Sequence, residues 1–416
     1  MDFRQATEKR LLRYAAIPSQ SAPFRGVWPT SDSQLAFARV LLDELRELGA
    51  EAELDEAACV LYARLPSNIA DGADFPIGLI AHLDTAPDVP GQNVHPWVLR
   101  NYPGGDVVLN RAQEIVMRQA DFPSLSRYIG QDLVLTDGTT LLGGDDKAAI
   151  AELMTLVEYY VNYPVLHRTI CLAFTPDHEV GGFAQDLDPA RFGARFAYTV
   201  DGEHLGGCHD QNFHSAQAEI VIAGRSACPG SAKGILINAS DLAAEFLAML
   251  PRRQRPQYTE GTEGFYHVIS VESGCESARI RMSIRDFDRT VFEARTGFLL
   301  RCARSLNAAH GQELVQVRLS RQYRNMGEVL EHTPFLAERL RAAVAETGVE
   351  PDCRPLRGVT DGAALSFNGL PCANLSAGFE NAHGRFEYVP IQSMAKNVEI
   401  LIRLIGRYAE ESEAQA

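Results

Sequence analysis

Lysine is nearly missing from this 416-residue chain: of its 39 basic residues, only Lys9, Lys147, Lys233 and Lys396 are lysines. Where a chain has drifted so far toward arginine, a lysine kept inside a glycine-bearing motif, as Lys147 and Lys233 are, is a candidate for a place that wants a compact ammonium. Positive charge is scarce in general. The 39 basic residues face 54 acidic ones, a formal net charge of -15, which repels phosphate backbones and anionic headgroups and excludes nucleic acid and membrane surfaces as expected partners. No uncharged apolar run approaches the roughly 18 residues that a membrane-crossing helix needs. The N-terminal "MDFRQATEKRLLRYAAIPSQS" breaks its short apolar stretches with charges, which excludes the apolar core of a secretory signal. Cysteine is present but unpatterned. Cys59, Cys171, Cys208, Cys228, Cys275, Cys302, Cys353 and Cys372 include no C-x-x-C pair, so zinc ribbons and dithiol redox motifs are excluded and reduced thiols in a cytoplasmic protein are expected. The "GGDDK" glycines lack the spacing of a phosphate-binding P-loop. There is no internal repeat and no low-complexity tract.

What remains is an ordinary globular composition, 46% hydrophobic and 22% charged, with room for two or three domains. Several apolar runs are continuous rather than alternating and stop abruptly in polar, glycine-bearing loops: "IGLIAHLDT" (77–85), "TICLAFTPDHEVGG" (169–182), "RFAYTVDGE" (195–203) and "LPCANLSAGFENAHG" (370–384). Such runs predict strands buried on both faces, in a parallel or mixed sheet covered by helices. Helices are predicted over "KAAIAELMTLVEYYV" after Asp146 and at the C-terminus, where Met394, Val398, Leu401, Ile405 and Tyr408 form one stripe. Between Asn212 and Arg324 the pattern changes to alternating strands, "SAQAEIVIAG" and "ARIRMSIRDFD", with helical stretches near 238–250 and 289–306. The expected fold is therefore an α/β domain with a mixed central sheet, residues 1–211 and 325–416, interrupted by a smaller α+β domain, residues 212–324.

In open α/β sheets, ligands gather beyond the carboxyl ends of the strands. His82 and Asp84, His178 and Glu179, Asp201 and His383 all fall there. Histidines and carboxylates in this combination suit two divalent ions, since both bind zinc at about 2.0 to 2.2 Å and one carboxylate can bridge. A pair of ions roughly 3.5 to 4 Å apart can hold a water between them, lower its pKa and polarise a carbonyl, which is hydrolase chemistry. Strand alternation points His82 and Asp84 the same way, so Asp84 is placed to orient the imidazole or assist the water. In "TPDHEVGG" the neighbouring His178 and Glu179 are compatible with a metal site, an acid/base site or a helix start.

Taken in order, "AHLDT", "LLGGDDKA", "TPDHEVGG", "YTVDG", "CPGSAKG", "IRDFD", "RGVTDGAALSF" and "NAHG" resemble the motifs of the peptidase T branch of the di-zinc metallopeptidase family that includes acetylornithine deacetylase. The resemblance spans residues 1 to about 410. It implies a zinc-binding α/β domain with a smaller lid and dimerisation domain, a homodimer, and release of the N-terminal residue from tripeptides. It further implies His82, Asp145, Glu179, Asp201 and His383 as metal ligands with Asp145 bridging, Asp84 as the partner of His82, and Arg285 as the grip on a substrate carboxylate.

Two positions depart from that pattern. Where the branch carries the glutamate that takes a proton from the metal-bridging water, this chain has His178. Where the lid histidine helps stabilise the oxyanion, it has Cys228, and a thiol is a weak donor. Three readings follow: a peptidase in which His178 serves as base, a site rebuilt for another metal-dependent reaction on an amide in a specialised pathway, or a catalytically silent binding protein. His178 as an additional metal ligand, with Asp177 or water moving in as base, cuts across all three. The remaining pair in "HDQNFHS", His209 and His214, is expected in a solvated turn, and Cys228 is expected to be an inert thiol rather than a nucleophile.

Overall fold

The four continuous apolar runs become four adjacent parallel strands. In spatial order they are Ile170–Thr175, Ile77–His82, Phe196–Val200 and Cys372–Leu375. Nearly every residue in them is buried, as expected where helices cover both faces of a sheet. Antiparallel strands complete the sheet, Glu51–Asp55 and Val60–Leu65 on one side and Cys208–His209 on the other, giving seven strands in a mixed sheet. A computed structural model describes residues 1–23, 26–70 and 74–410 of the chain.

The chain divides into two compact units, residues 1–210, 328–354 and 360–416 in the first and residues 211–327 and 355–359 in the second. In the first, the helix Gly144–Asn162 packs with Phe3–Ala15 and with the C-terminal helix Ile391–Glu410. The predicted C-terminal stripe is the buried face: Met394, Val398, Leu401, Ile405 and Tyr408 are all fully covered. In the second, a four-stranded antiparallel sheet runs in the order Phe265–Ser273, Ser277–Asp286, His214–Ala223, Val315–Tyr323. Two of these strands are the alternating stretches. Their inward residues Ile220, Ile222, Ile280 and Met282 form one core with Phe246 and Leu299 from the helices Ala239–Met249 and Arg289–His310. The other two strands are largely exposed, which is why they carry little hydrophobic signal.

A tight turn delivers Asp145 to the carboxyl edge of the first unit's sheet, and it needs both of its glycines for different reasons. Gly143 sits at φ +74°, in the left-handed region, and a Cβ at Gly144 would lie 2.5 Å from Val389 Cγ2 and 3.1 Å from Glu387 Oε1. Gly144→Ala must therefore push the turn away from its support. We expect a loss of about 1 to 3 kcal/mol, read as a lower midpoint in denaturant, together with weaker metal uptake in a direct binding titration.

Candidate metal centre

Each polar side chain singled out at a strand end is delivered by the end of a buried strand. His82 is the last residue of Ile77–His82, and Asp201 follows Phe196–Val200 directly. After Ile170–Thr175 the chain reverses at Asp177, φ +59°, into a single 3-10 turn, His178–Val180. His383 lies in the loop beyond Cys372–Leu375. Asp145, in the turn before the helical body of Gly144–Asn162, has non-helical backbone angles and a cis peptide bond to Asp146.

These residues converge on the carboxylate of Asp145. Its Oδ1 is 3.0 Å from His82 Nε2 and its Oδ2 is 3.1 Å from His383 Nε2. His383 Nε2 is also 3.0 Å from Glu179 Oε2. Two groups of ligand atoms form around it, His82 with Asp145, Asp146 and Asp201, and Asp145 with Glu179 and His383; within each, the atoms lie within 4.8 Å of one another. Two buried carboxylate oxygens in these groups, Glu179 Oε1 and Asp146 Oδ1, have no hydrogen-bond partner. A buried, unsatisfied carboxylate oxygen is costly unless a cation meets it, and the imidazole and carboxylate donors suit a divalent ion such as zinc, cobalt or manganese.

Asp84 stands beside His82 in two ways: its backbone carbonyl is 3.0 Å from His82 Nδ1 and its carboxylate 3.4 Å away. Its carboxylate oxygens also accept the backbone N–H groups of His178, at 2.9 Å, and Glu179, at 3.0 Å. Asp84 thus locks the turn that carries both residues. Asp177 is held elsewhere, by Thr30 and Gln34, and is not available to stand in as a base.

Three carboxylates that sequence reading does not single out complete the site. Asp361, inside the quoted "RGVTDGAALSF", places Oδ1 2.5 Å from His178 Nδ1, and its Oδ2 accepts the Thr175 hydroxyl at 2.8 Å. Glu387 accepts the N–H groups of Gly143, at 2.7 Å, and Asp145, at 2.9 Å. Asp146 accepts the His82 N–H. Burial pushes the Glu387 carboxyl up to about 8. Burial also raises Asp201, to about 6, with Asp145 adding to it. Burial opposes the imidazolium of His178, but Asp361 and Asp201 outweigh it and hold the ring at about 9. Hydrogen bonds to Asp145 and Glu179 lift His383 to about 11.

None of the other predicted residues belongs to these ligand groups. Lys147 is buried in the first unit, its Nζ donating to Ile17 O at 2.7 Å over the ring of Phe37, and burial lowers it to about 7; Lys233 is exposed. Arg285 and Cys228 belong to the second unit. Arg285 is flanked by the rings of Phe265 and Tyr323, its Nε is buried without a partner, and among the described residues no carboxylate pairs with it. Its neighbour Asp286 pairs with Arg295 instead. Cys228 is exposed, at the start of the short turn Pro229–Ser231. His214 corrects the expectation of a solvated turn. It opens the strand His214–Ala223, is buried, and stacks on Phe292. His209 is partly covered and bonds to Arg354 O.

Residues 143–407 match peptidase family M20/M25/M40. The chain belongs to this family of peptidases, and so to the hydrolases. Within it, the chain stands with the peptidase T sequences. The peptidase T of Clostridium acetobutylicum is 42% identical over 405 residues, 97% of this chain and 99% of that protein. Among solved structures, the aminopeptidase PepT from Bacillus cereus superposes with a TM-score of 0.77 at 21% identity, covering 98% of this chain and 99% of that one. A Bacillus subtilis protein described as a dinuclear metal-binding peptidase of family M20 has a TM-score of 0.66 at 13% identity, covering 98% of this chain and 99% of that one. At these identities the two structures establish the fold.

In metal-free protein, imidazolium groups neutralise the buried carboxylates. The folded values of His178, about 9, and His383, about 11, lie above the usual 6.5 or so of an unfolded histidine. Their stabilisation is therefore complete below about pH 6.5 and is lost as pH rises through 9 toward 11. We expect the melting temperature of chelator-treated protein to fall between pH 7 and 10, and added zinc to remove most of that fall.

Proposed function

We propose that the chain is a metal-dependent hydrolase that releases the N-terminal residue from a tripeptide or a related small amide. The observation that carries this reading is the shared carboxylate of Asp145, which faces a different imidazole with each oxygen. His82, Asp145 and Asp201 would hold one divalent ion and Asp145, Glu179 and His383 the other, zinc being well matched to the donors. A pair of ions bound there would lower the pKa of water and polarise the scissile carbonyl. Asp84 fixes the His178–Glu179 backbone, so the ligand Glu179 keeps its place during turnover. Arg285 is assigned to the substrate carboxylate, a reading supported by its lack of a carboxylate partner among the described residues. Eight free thiols and the likeness to peptidase T support a cytoplasmic homodimer.

His178 stands where peptidase T carries its proton-transferring glutamate. Its Nδ1 is committed to Asp361, so Nε2 is the only nitrogen it has to offer. With an imidazole there and a thiol at Cys228, proton transfer and oxyanion stabilisation are both weakened, and peptide turnover is expected to be slow. The same two departures favour a second reading, a site adapted to a different small amide.

The decisive assay supplies zinc, cobalt or manganese to purified protein and follows release of the N-terminal residue from tripeptides. We expect activity that chelator abolishes, and a loss of more than roughly 100-fold in Asp145→Asn, beyond the usual cost of an outer-sphere change. His178→Glu combined with Cys228→His should raise the tripeptide rate, by roughly 100-fold or more if a lost base limits it. No turnover with any metal, in either the natural protein or the double variant, would exclude the peptidase reading.

A further inference from the structure

His178 is built into the site in the same way as His82. The two rings stack at 4.5 Å with an interplanar angle of 13°. Each has Nδ1 tied back, His82 to the Asp84 carbonyl and His178 to the Asp361 carboxylate, leaving Nε2 to the site. The Asp361 carboxylate is 4% exposed and is itself fixed by Thr175. This carboxylate–imidazole arrangement is the one that sets the tautomer and direction of a metal-binding histidine. Ahead of it, His178 Nε2 is 3.7 Å from Asp201 Oδ2, and ligand atoms of His82, His178 and Asp201 fall within 4.8 Å of one another. Ligands placed tetrahedrally around a zinc-sized ion are about 3.3 Å apart, so to share an ion these three would draw together by up to about 1.5 Å, with one of the stacked rings turning to aim its Nε2 at it. Together with Asp146, Thr199 and Asp361 they line one small pocket.

We propose that His178 is a protein ligand of the ion held by His82, Asp145 and Asp201, with Asp361 as its positioning residue. This rests on the reading of the cluster as a two-ion site. With His178 added, the residues available to an ion on the His82 side would include two imidazoles and the carboxylates of Asp145 and Asp201, a full set for a tetrahedral ion, whereas the Glu179 side would offer three side chains and leave room for water or substrate, the division that separates structural from catalytic zinc sites. The replacement at 178 thus does more than remove a base: it closes one half of the centre.

Metal titration and X-ray absorption of the full chain test this independently of turnover. With two equivalents of zinc or cobalt, the outer-shell scattering should correspond to imidazoles from His82, His178 and His383 shared over two ions, falling by one imidazole in His178→Glu, a variant whose side chain is the one peptidase T carries. His178→Ala and Asp361→Asn should weaken the tighter of the two binding steps by about 10- to 100-fold or more and leave the weaker step within a factor of about two. Both affinities unchanged in His178→Ala and His178→Glu, with unaltered absorption spectra, would overturn the proposal while leaving the two-ion reading intact. Failure of the natural protein to bind any ion would instead sink that reading and this one with it.

Discussion

A single carboxylate organises the centre. Asp145 offers one oxygen to His82 and the other to His383, so the two clusters exist only because this side chain stands between them. Holding a carboxylate there is costly, because it is buried beside Glu179, Asp146 and Asp201. The surrounding structure meets that cost with fixed groups rather than with solvent. Glu387 grips the backbone N–H of Asp145 and of Gly143, the helix that follows anchors the turn, and the imidazoles on either side keep the Asp145 carboxyl well below its ordinary range despite its burial.

The sheet explains why so few residues suffice. Four parallel strands end along one edge: His82 closes one, Asp201 and Glu179 follow two others within four residues, and His383 lies in the loop eight residues beyond the fourth. Buried on both faces, the strands have almost no freedom to shift register, because a slip of one residue would reverse every side chain. A loop therefore has to span only a short distance from a rigid base, and local devices finish the placement: the positive φ of Asp177 and the clamp of Asp84 on the 178–179 backbone.

The parts of this design legible in the sequence are those carried by local pattern. Continuous apolar runs gave away the four parallel strands, and a stripe of spacing three and four marked the buried face of the last helix. His82, Asp201 and His383 could be suspected because they sit just past such runs. What could not be read were partners brought together only by folding. Asp361 lies 183 residues from His178 and Glu387 lies 242 from Asp145, and no local pattern marks either as the partner of a residue so far away. His214 misleads for the opposite reason. Its polar neighbours suggest a turn, yet it begins a strand whose inward face it shares.

At position 178, where the resemblance to peptidase T implies a glutamate, the imidazole is tied to Asp361 through Nδ1 and has Nε2 left for the group formed with His82 and Asp201. The most direct check on the whole account is a crystal of the zinc-loaded protein measured at the zinc absorption edge. Two anomalous peaks should flank the Asp145 carboxylate, one beside His82 and one beside His383; a single peak, or none at that carboxylate, would contradict a shared two-ion site.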